Sequence, residues 1–362
     1  MKPLPIIFFA LLLAISPAVM SADYRLVTVA DGLELPWCVA FLPDGRLLVT
    51  ERPGRLRQIS ADGEIGSPME GVPEVIFRGQ GGLFDVAPHP DFANNGLIYL
   101  SYAHGTPRAN ATRIARGRLE GNALKDLEVI FTARPNKTTP QHYGGKFLFL
   151  PDGTILFTTG DGFDHREEAQ DLGGLLGKTV RINEDGSIPD DNPYVRRDGA
   201  DPAVWTWGHR NAQGLARDHT TGQVFLHEHG PRGGDEINHL RPGRNYGWPV
   251  ITFGVDYSGA RISPYTQMPG MEQPLHYWIP SIAPSGLAVY RGDVFPEWQG
   301  DLFVGALVDR EVRRVRLRDD RVVEEEALFG ELGGRIRDIR VSPDGHLLLV
   351  TDEGQVVRVE RP

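Results

Sequence analysis

Three segments of the chain repeat one turn-and-strand pattern, and this repetition constrains the fold more than any other feature. Each has a Pro-Asp-Gly turn followed by a run of apolar residues: 42–45 before 47–50, 150–153 before 155–158, and 342–345 before 347–351. Asp and Gly favour the tight turns that join antiparallel strands. The pattern therefore predicts a strand, a turn and a second strand at three widely separated places.

Degenerate copies raise the number of units to six. They are residues 88–91 before 97–100, 218–222 before 224–226, and 295–300 before 302–304. Repeats of this kind are typical of propeller blades. We predict an all-β fold, a six-bladed β-propeller, with long loops that form a cofactor site on one face. A β-sandwich array is the alternative, but it does not explain the repeated unit.

Two further expectations follow from a propeller. The last strand, residues 355–359, should share a blade with the first, residues 25–29, because this pairing closes the ring and removes its edges. The irregular stretches 162–192 and 232–280 should be insertions in blades three to five. Loops of irregular composition on a rigid scaffold are where functional residues usually lie.

The N-terminus resembles a secretory signal peptide. Lys2 precedes an apolar run from Ile6 to Ile15, and small residues surround Ser21 and Ala22. The run is shorter than the roughly 18 to 20 residues of a membrane span. We expect residues 1–22 to be a signal peptide, residues 23–362 to be one propeller domain, and the mature protein to be periplasmic or secreted without a membrane span. An uncleaved anchor is the alternative.

Charge and cysteine content exclude other classes. The formal net charge of −10 argues against a nucleic-acid partner, because such proteins usually carry a basic face. The single cysteine, Cys38, excludes an internal disulfide. Stability should therefore come from packing and from bound metal.

A glycine-rich acidic segment is the strongest local signal of a site. Residues 226–238 contain two histidines, three acidic residues, an arginine and three glycines. Glycines permit close backbone approach, so carbonyl groups here could point at a hard cation such as calcium. The alternative is a polar turn between two strands. The nearby polar and aromatic segments 208–211 and 245–249 favour a site.

Equivalent loops of a propeller meet at one mouth of its central channel. Polar residues occupy such loops in several of the predicted blades: Gln80, His142, Asp161, Arg210, Asn211, Arg335 and Arg337. Arginines in an acidic protein predict a small carboxylated polyanion as ligand, because guanidinium pairs well with carboxylate. His142 is suited to act as a base near neutral pH, and Asp161 could orient its imidazole.

At these residues the chain resembles the soluble, pyrroloquinoline-quinone-dependent sugar dehydrogenases. In particular, it is similar to the periplasmic aldose sugar dehydrogenases of the glucose/sorbosone dehydrogenase family. The resemblance spans the mature chain, and the motifs that carry it are residues 79–83, 177–181, 188–193, 210–214 and 228–236. The family's six-bladed propeller agrees with the repeat count.

The resemblance implies roles for individual residues. It implies that His142 is the general base for hydride transfer from an aldose to the quinone, with Asp161 and Arg210 also catalytic. It places the quinone among six side chains: Gln80, Arg210, Asn211, Tyr257, Arg335 and Arg337. It also implies a cofactor-bound calcium ion on the Gly230 and Pro231 carbonyls, and a structural calcium ion near Glu236 and Tyr246.

Two positions depart from the family's glucose enzymes. Those enzymes have an Asp before the base, where this chain has Gln141. They also have a cofactor-binding Lys where this chain has Val308, although Arg310 is close in sequence. The preferred sugar and the electron acceptor remain open. The alternative function is a calcium-stabilised propeller that binds carbohydrate or protein without redox chemistry.

Overall fold

A computed structural model describes residues 23–362, so the expected signal peptide at 1–22 lies outside the described residues. Within this range the strands form six sheets, arranged as the blades of a β-propeller. The expected fold class is therefore confirmed. No helix in this part of the chain is long and apolar enough to cross a membrane.

Each blade is an antiparallel sheet whose strands follow one another in sequence, except that β1 joins the strands of blade six. The first strand is β1 (Arg25–Ala30). Blade one contains β2 (Pro36–Phe41), β3 (Leu47–Glu51) and β4 (Arg55–Ile59). Blade two contains β5 (Leu83–Pro88), β6 (Leu97–Thr106), β7 (Ala109–Glu120) and β8 (Ala123–Thr132). Blade three contains β9 (Phe147–Phe149), β10 (Ile155–Thr158), β11 (Lys178–Ile182) and β12 (Val204–Trp207).

The second half of the ring repeats this plan. Blade four contains β13 (Ala212–Arg217), β14 (Val224–Glu228), β15 (Asp235–Leu240) and β16 (His276–Trp278). Blade five contains β17 (Pro284–Val289), β18 (Leu302–Ala306), β19 (Val312–Arg318) and β20 (Arg321–Leu328). Blade six contains β21 (Ile336–Val341), β22 (Leu347–Thr351) and β23 (Val356–Glu360). Strand β1 pairs with β23, so the expected closure of the ring is confirmed.

The described helices are short. One α-helical turn spans Phe92–Asn95, and 3₁₀ turns span Arg166–Gln170, Pro296–Trp298 and Gly330–Leu332. The segments 162–192 and 232–280 are not pure insertions, because they contain β11, β15 and β16. The sequence pattern did not predict these outer strands, because they are short and separated by long loops.

Each of the six repeated units lies in a different blade, and in every case it joins the first strand of the blade to the second. The three Pro-Asp-Gly turns are closed by the same hydrogen bond: Gly45 N–H to Leu42 O at 3.0 Å, Gly153 N–H to Leu150 O at 3.0 Å, and Gly345 N–H to Ser342 O at 2.9 Å. Gly45, Gly153 and Gly345 have φ near +85°, which glycine adopts readily. The turn sequence is thus explained by local backbone geometry.

The first strands of the blades surround a charged, buried network. Lys146 Nζ donates to Asp338 Oδ1 at 2.8 Å, and Arg340 Nη2 donates to Asp85 Oδ1 at 2.6 Å. Cys38 donates to the same Asp85 oxygen at 2.7 Å. All of these acidic and thiol groups are buried, so their mutual pairing offsets the cost of removing charge from water. The network links blades one, two and six with the segment that leads into blade three.

Candidate active site

The sequence-predicted polar residues meet at one end of the ring. They lie just before the first strand or just after the second strand of a blade, except Arg337, which is the second residue of β21. The first and second strands of a blade are antiparallel. The start of the first strand and the end of the second therefore lie at the same end, opposite the Pro-Asp-Gly turns. Residues far apart in sequence thus share one mouth.

His142 and Asp161 form a buried pair at this mouth. The two atoms His142 Nδ1 and Asp161 Oδ1 are 2.6 Å apart, and the Trp248 indole donates to Asp161 Oδ2 at 2.8 Å. The His142 backbone has φ of +49°, and its N–H donates to Gln80 Oε1 at 2.8 Å. With Nδ1 donating to the carboxylate, His142 Nε2 is the nitrogen that can accept a proton.

The electrostatics of the pair suit a base. Burial lowers the pKa of His142, Asp161 opposes this shift, and the positive charges of Arg210 and Lys137 add to it. Although burial opposes ionisation of Asp161, its hydrogen bond and charge interaction with His142, together with the Arg210 charge, lower its pKa. A neutral imidazole beside an ionised carboxylate can take up a proton near neutral pH.

Four of the predicted cofactor residues line one cavity of about 220 Å³: Gln80, Asn211, Arg335 and Arg337. Its apolar walls include Trp37, Phe84 and Tyr143. A cavity with aromatic walls and a few convergent polar groups is typical of a small-molecule site.

Arg210 and Tyr257 face a neighbouring cavity of about 190 Å³, which Pro231 also lines. The Arg210 guanidinium donates through Nη1 to Gly230 O at 2.7 Å and to His229 O at 3.1 Å. Its Nη2 lies 3.5 Å from the Tyr257 hydroxyl. The structure thus divides the predicted residues between two adjoining spaces, with Arg210 beside His142 and Asp161.

The predicted metal residues Gly230, Glu236 and Tyr246 line a small cavity of about 10 Å³, a volume suited to one ion or water molecule. Burial raises the pKa of Glu236 well above its usual value, and the nearby Glu228 charge adds to this shift. Asn238 Oδ1 is buried without a hydrogen-bond partner among the described residues. The oxygen donors of two neighbouring carboxyl groups fit a hard cation such as calcium, whose charge would offset the cost of ionising both groups.

Two observations limit this fit. Among residues 23–362, no three His, Cys, Asp or Glu side chains group as metal ligands, so a cation here would also need carbonyl oxygens. The Gly230 carbonyl already accepts a hydrogen bond from Arg210, and a cation on that oxygen would compete with the guanidinium.

Sequence reasoning missed three residues at the mouth: Arg52, Lys137 and Trp248. Arg52 directly follows β3, just as Asp352 follows β22, so alignment of the repeats could have identified it. Lys137 Nζ lies 3.3 Å from the centre of the Tyr143 ring and donates to Asn110 Oδ1 at 2.7 Å. Trp248 lay in a segment already noted for its aromatics, but its contact with Asp161 had no sequence signal.

Comparison with known proteins identifies the family. The sequence profile of the Glucose / Sorbosone dehydrogenase family matches residues 33–358. The aldose sugar dehydrogenase YliI of Escherichia coli (strain K12) is 41% identical over 363 residues, which cover 98% of this chain and 96% of that protein.

Solved structures agree with this match. The soluble aldose sugar dehydrogenase of Escherichia coli in the apo-form has a TM-score of 0.90 and 40% identity, covering 94% of this chain and 100% of that one. The PQQ-bound form of the aldose sugar dehydrogenase from Streptomyces coelicolor has a TM-score of 0.77 and 28% identity, covering 94% and 99%. From the matched profile, the identity and the shared six-bladed ring, we conclude that the chain belongs to the glucose/sorbosone dehydrogenase family.

Proposed function

We propose that this protein oxidises aldose sugars at the anomeric carbon to lactones, with pyrroloquinoline quinone and calcium as cofactors. The observation that carries the proposal is the buried His142–Asp161 pair beside a cavity lined by arginines. A base needs such a partner for proton removal, whereas a binding propeller does not. The family match and the PQQ-bound relative support the same chemistry.

The reaction removes a hydride and a proton from the anomeric C–OH group. When bound, the quinone supplies the hydride acceptor and calcium supplies a Lewis acid that polarises it. His142 Nε2 takes the hydroxyl proton as the C–H bond breaks, and Asp161 stabilises the resulting imidazolium. Burial lowers the pKa of His142, and the nearby Arg210 charge adds a smaller shift in the same direction, which favours a neutral imidazole before reaction.

The side chains proposed to hold the quinone are Gln80, Asn211, Arg335 and Arg337 in the larger cavity, with Arg210 and Tyr257 beside it. Arginine pairs bidentately with carboxylate, so these residues suit a tricarboxylated cofactor. The Gly230 and Pro231 carbonyls are proposed ligands of a cofactor-bound calcium ion. Glu236 and the Tyr246 region are proposed ligands of a structural one.

The cellular setting belongs to the proposal as well. We propose that residues 1–22 are a signal peptide, that residues 23–362 form the mature propeller domain, and that the protein works in the periplasm or is secreted. The aldose would then reach the site from outside the cytoplasm.

The test is aldose-dependent reduction of an acceptor dye by protein supplied with quinone and calcium. We expect wild-type turnover to require both cofactors, and His142→Ala to lose about 10²- to 10⁴-fold in rate while it still binds quinone. If wild type binds an aldose but reduces no dye under any cofactor condition, the non-redox binding function is correct instead. Equal loss of binding and turnover in His142→Ala would make His142 structural.

A further inference from the structure

The cavity of about 220 Å³ has a third arginine besides the two that the sequence predicted there. Arg52 lines it together with Arg335 and Arg337. Asp352 pairs with both of the latter, through Oδ2 to Arg335 Nε at 2.9 Å and through Oδ1 to Arg337 Nε at 2.7 Å. One carboxylate therefore faces three guanidinium groups, and this wall carries excess positive charge.

Two backbone hydrogen bonds fix the position of Arg52. Arg52 N–H donates to Leu35 O at 3.0 Å, and Arg52 O accepts from Leu83 N–H at 3.0 Å. The guanidinium donates through Nη2 to Gly79 O at 2.9 Å, and it lies 5.5 Å from the centre of the Phe77 ring. The side chain is thus held at the joint between blades one and two, where it faces the cavity.

The Arg52 guanidinium is incompletely satisfied. Its Nε is buried and has no hydrogen-bond partner among the described residues. Burial lowers the pKa of Arg52, the charge of Arg337 lowers it further, and Asp352 only partly opposes them. An unpaired donor on a partly desolvated cation is costly, and a bound anion would relieve that cost.

We infer that Arg52 binds a carboxylate of the cofactor and supplies the cationic contact that Val308 cannot make. This inference rests on the proposed quinone-dependent function. Val308 is 58% exposed, and Arg310 directs its Nη1 to Gly333 O at 3.0 Å rather than to the cavity. The family's glucose enzymes carry a positive charge on the loop after β18. In this chain Arg52 provides a positive charge from the loop after β3 instead.

The first experiment measures the dissociation constant of pyrroloquinoline quinone, with calcium present, by quenching of tryptophan fluorescence. Trp37 lies in the same cavity and reports occupancy. We expect Arg52→Met to weaken binding by about 10- to 100-fold, which is the usual loss for a charge-assisted hydrogen bond. Arg52→Lys should fall between wild type and Arg52→Met. The matched control Arg310→Met should bind quinone as wild type does.

The salt dependence of quinone binding distinguishes an electrostatic role of Arg52 from a structural one. Arg52 also holds the Gly79 carbonyl, so its loss could disturb the neighbouring Gln80 loop. If Arg52 acts through charge, the dissociation constant of Arg52→Met should depend less steeply on salt than that of wild type. An unchanged salt dependence, or wild-type affinity in Arg52→Met, would overturn the inference. A loss in Arg310→Met as large as that in Arg52→Met would overturn it too.

A second probe distinguishes this inference from the proposed function. Benzene-1,3,5-tricarboxylate presents carboxylates without a quinone, and we expect it to raise the melting temperature of wild type more than that of Arg52→Met. If wild type binds no quinone but shows this difference, the proposed function fails and the anion site at Arg52 stands. If the tricarboxylate stabilises both proteins equally, the anion site fails.

Discussion

The Asp161 carboxylate lies 2.6 Å from Nδ1 of His142, so it holds the proton on Nδ1 and leaves Nε2 as the nitrogen that can accept one. Its other oxygen accepts the Trp248 indole N–H at 2.8 Å, and its Oδ1 also accepts the Phe163 N–H at 2.8 Å. These bonds hold the carboxylate in one orientation. Asp161 therefore acts on His142 as a positioning and charge-stabilising residue.

Replacing Asp161 by Asn should slow turnover by about 10²-fold or more, because the imidazolium loses its partner and the imidazole its orientation. Quinone affinity should change little, since Asp161 does not line the larger cavity. Trp248→Phe keeps the carboxylate charge and should cost less, about tenfold. Steady-state rates and quinone titrations check this. A wild-type rate in Asp161→Asn would remove Asp161 from the mechanism.

Lys137 should tune the pH dependence of the base. Burial lowers the pKa of Lys137 to about 7, so it is protonated where His142, with its lowered pKa, titrates. Lys137→Met removes this positive charge and should raise the pKa of His142. The acid limb of the kcat/KM profile should then move to higher pH. The exposed Lys125→Met serves as control and should leave the profile in place. A limb that stays or moves to lower pH in Lys137→Met contradicts this role.

The fold was largely predictable because its determinants are local. Gly45, Gly153 and Gly345 sit in turns that few other residues could form, and their spacing along the chain marked the blades. The proximity of His142 and Asp161 was predictable for the same reason, because His142 precedes the first strand of blade three and Asp161 follows the second. Arg52 could have been found by aligning the repeats, because it follows β3 as Asp352 follows β22. The contact between Trp248 and Asp161 could not be predicted, because it joins residues 87 positions apart through an irregular loop.

Asp218 should contribute stability that depends on pH. The Arg291 guanidinium binds it with Nε–Oδ1 at 2.9 Å and Nη2–Oδ2 at 2.5 Å, which joins blades four and five. Although burial opposes ionisation, Arg291 and the Thr220 and Thr221 hydrogen bonds hold the pKa of Asp218 far below its usual value. A carboxyl with a lowered folded-state pKa stabilises the protein above its unfolded pKa, near 3.9, and loses this contribution as pH falls.

Asp218→Asn should therefore lower the free energy of unfolding by about 2 kcal/mol at pH 7. The difference from wild type should shrink below about pH 4. Urea unfolding at pH 7 and pH 3 measures both values. The exposed Asp198→Asn is the control, with little expected change at either pH. An equal destabilisation at the two pH values would show that packing, not charge, accounts for the effect.

Calcium should stabilise the protein in the absence of quinone. Glu236 is a partly buried carboxyl group next to Glu228, and an ion bound only by the folded state adds stability by mass action. A chelator should lower the melting temperature of the apoprotein by several degrees. In Glu236→Gln this chelator effect should be smaller, while calcium still supports quinone binding. Identical melting with and without chelator would exclude the structural ion.

The central claim is that His142 removes the proton while the sugar reduces a bound quinone. Its most direct measurement is an anaerobic absorption spectrum of protein loaded with quinone and calcium, before and after one equivalent of aldose. We predict that the reduced-quinone band appears rapidly in wild type, and that His142→Ala binds the same quinone but develops the band about 10²- to 10⁴-fold more slowly. A loaded wild-type protein whose spectrum does not change with any aldose would contradict the account.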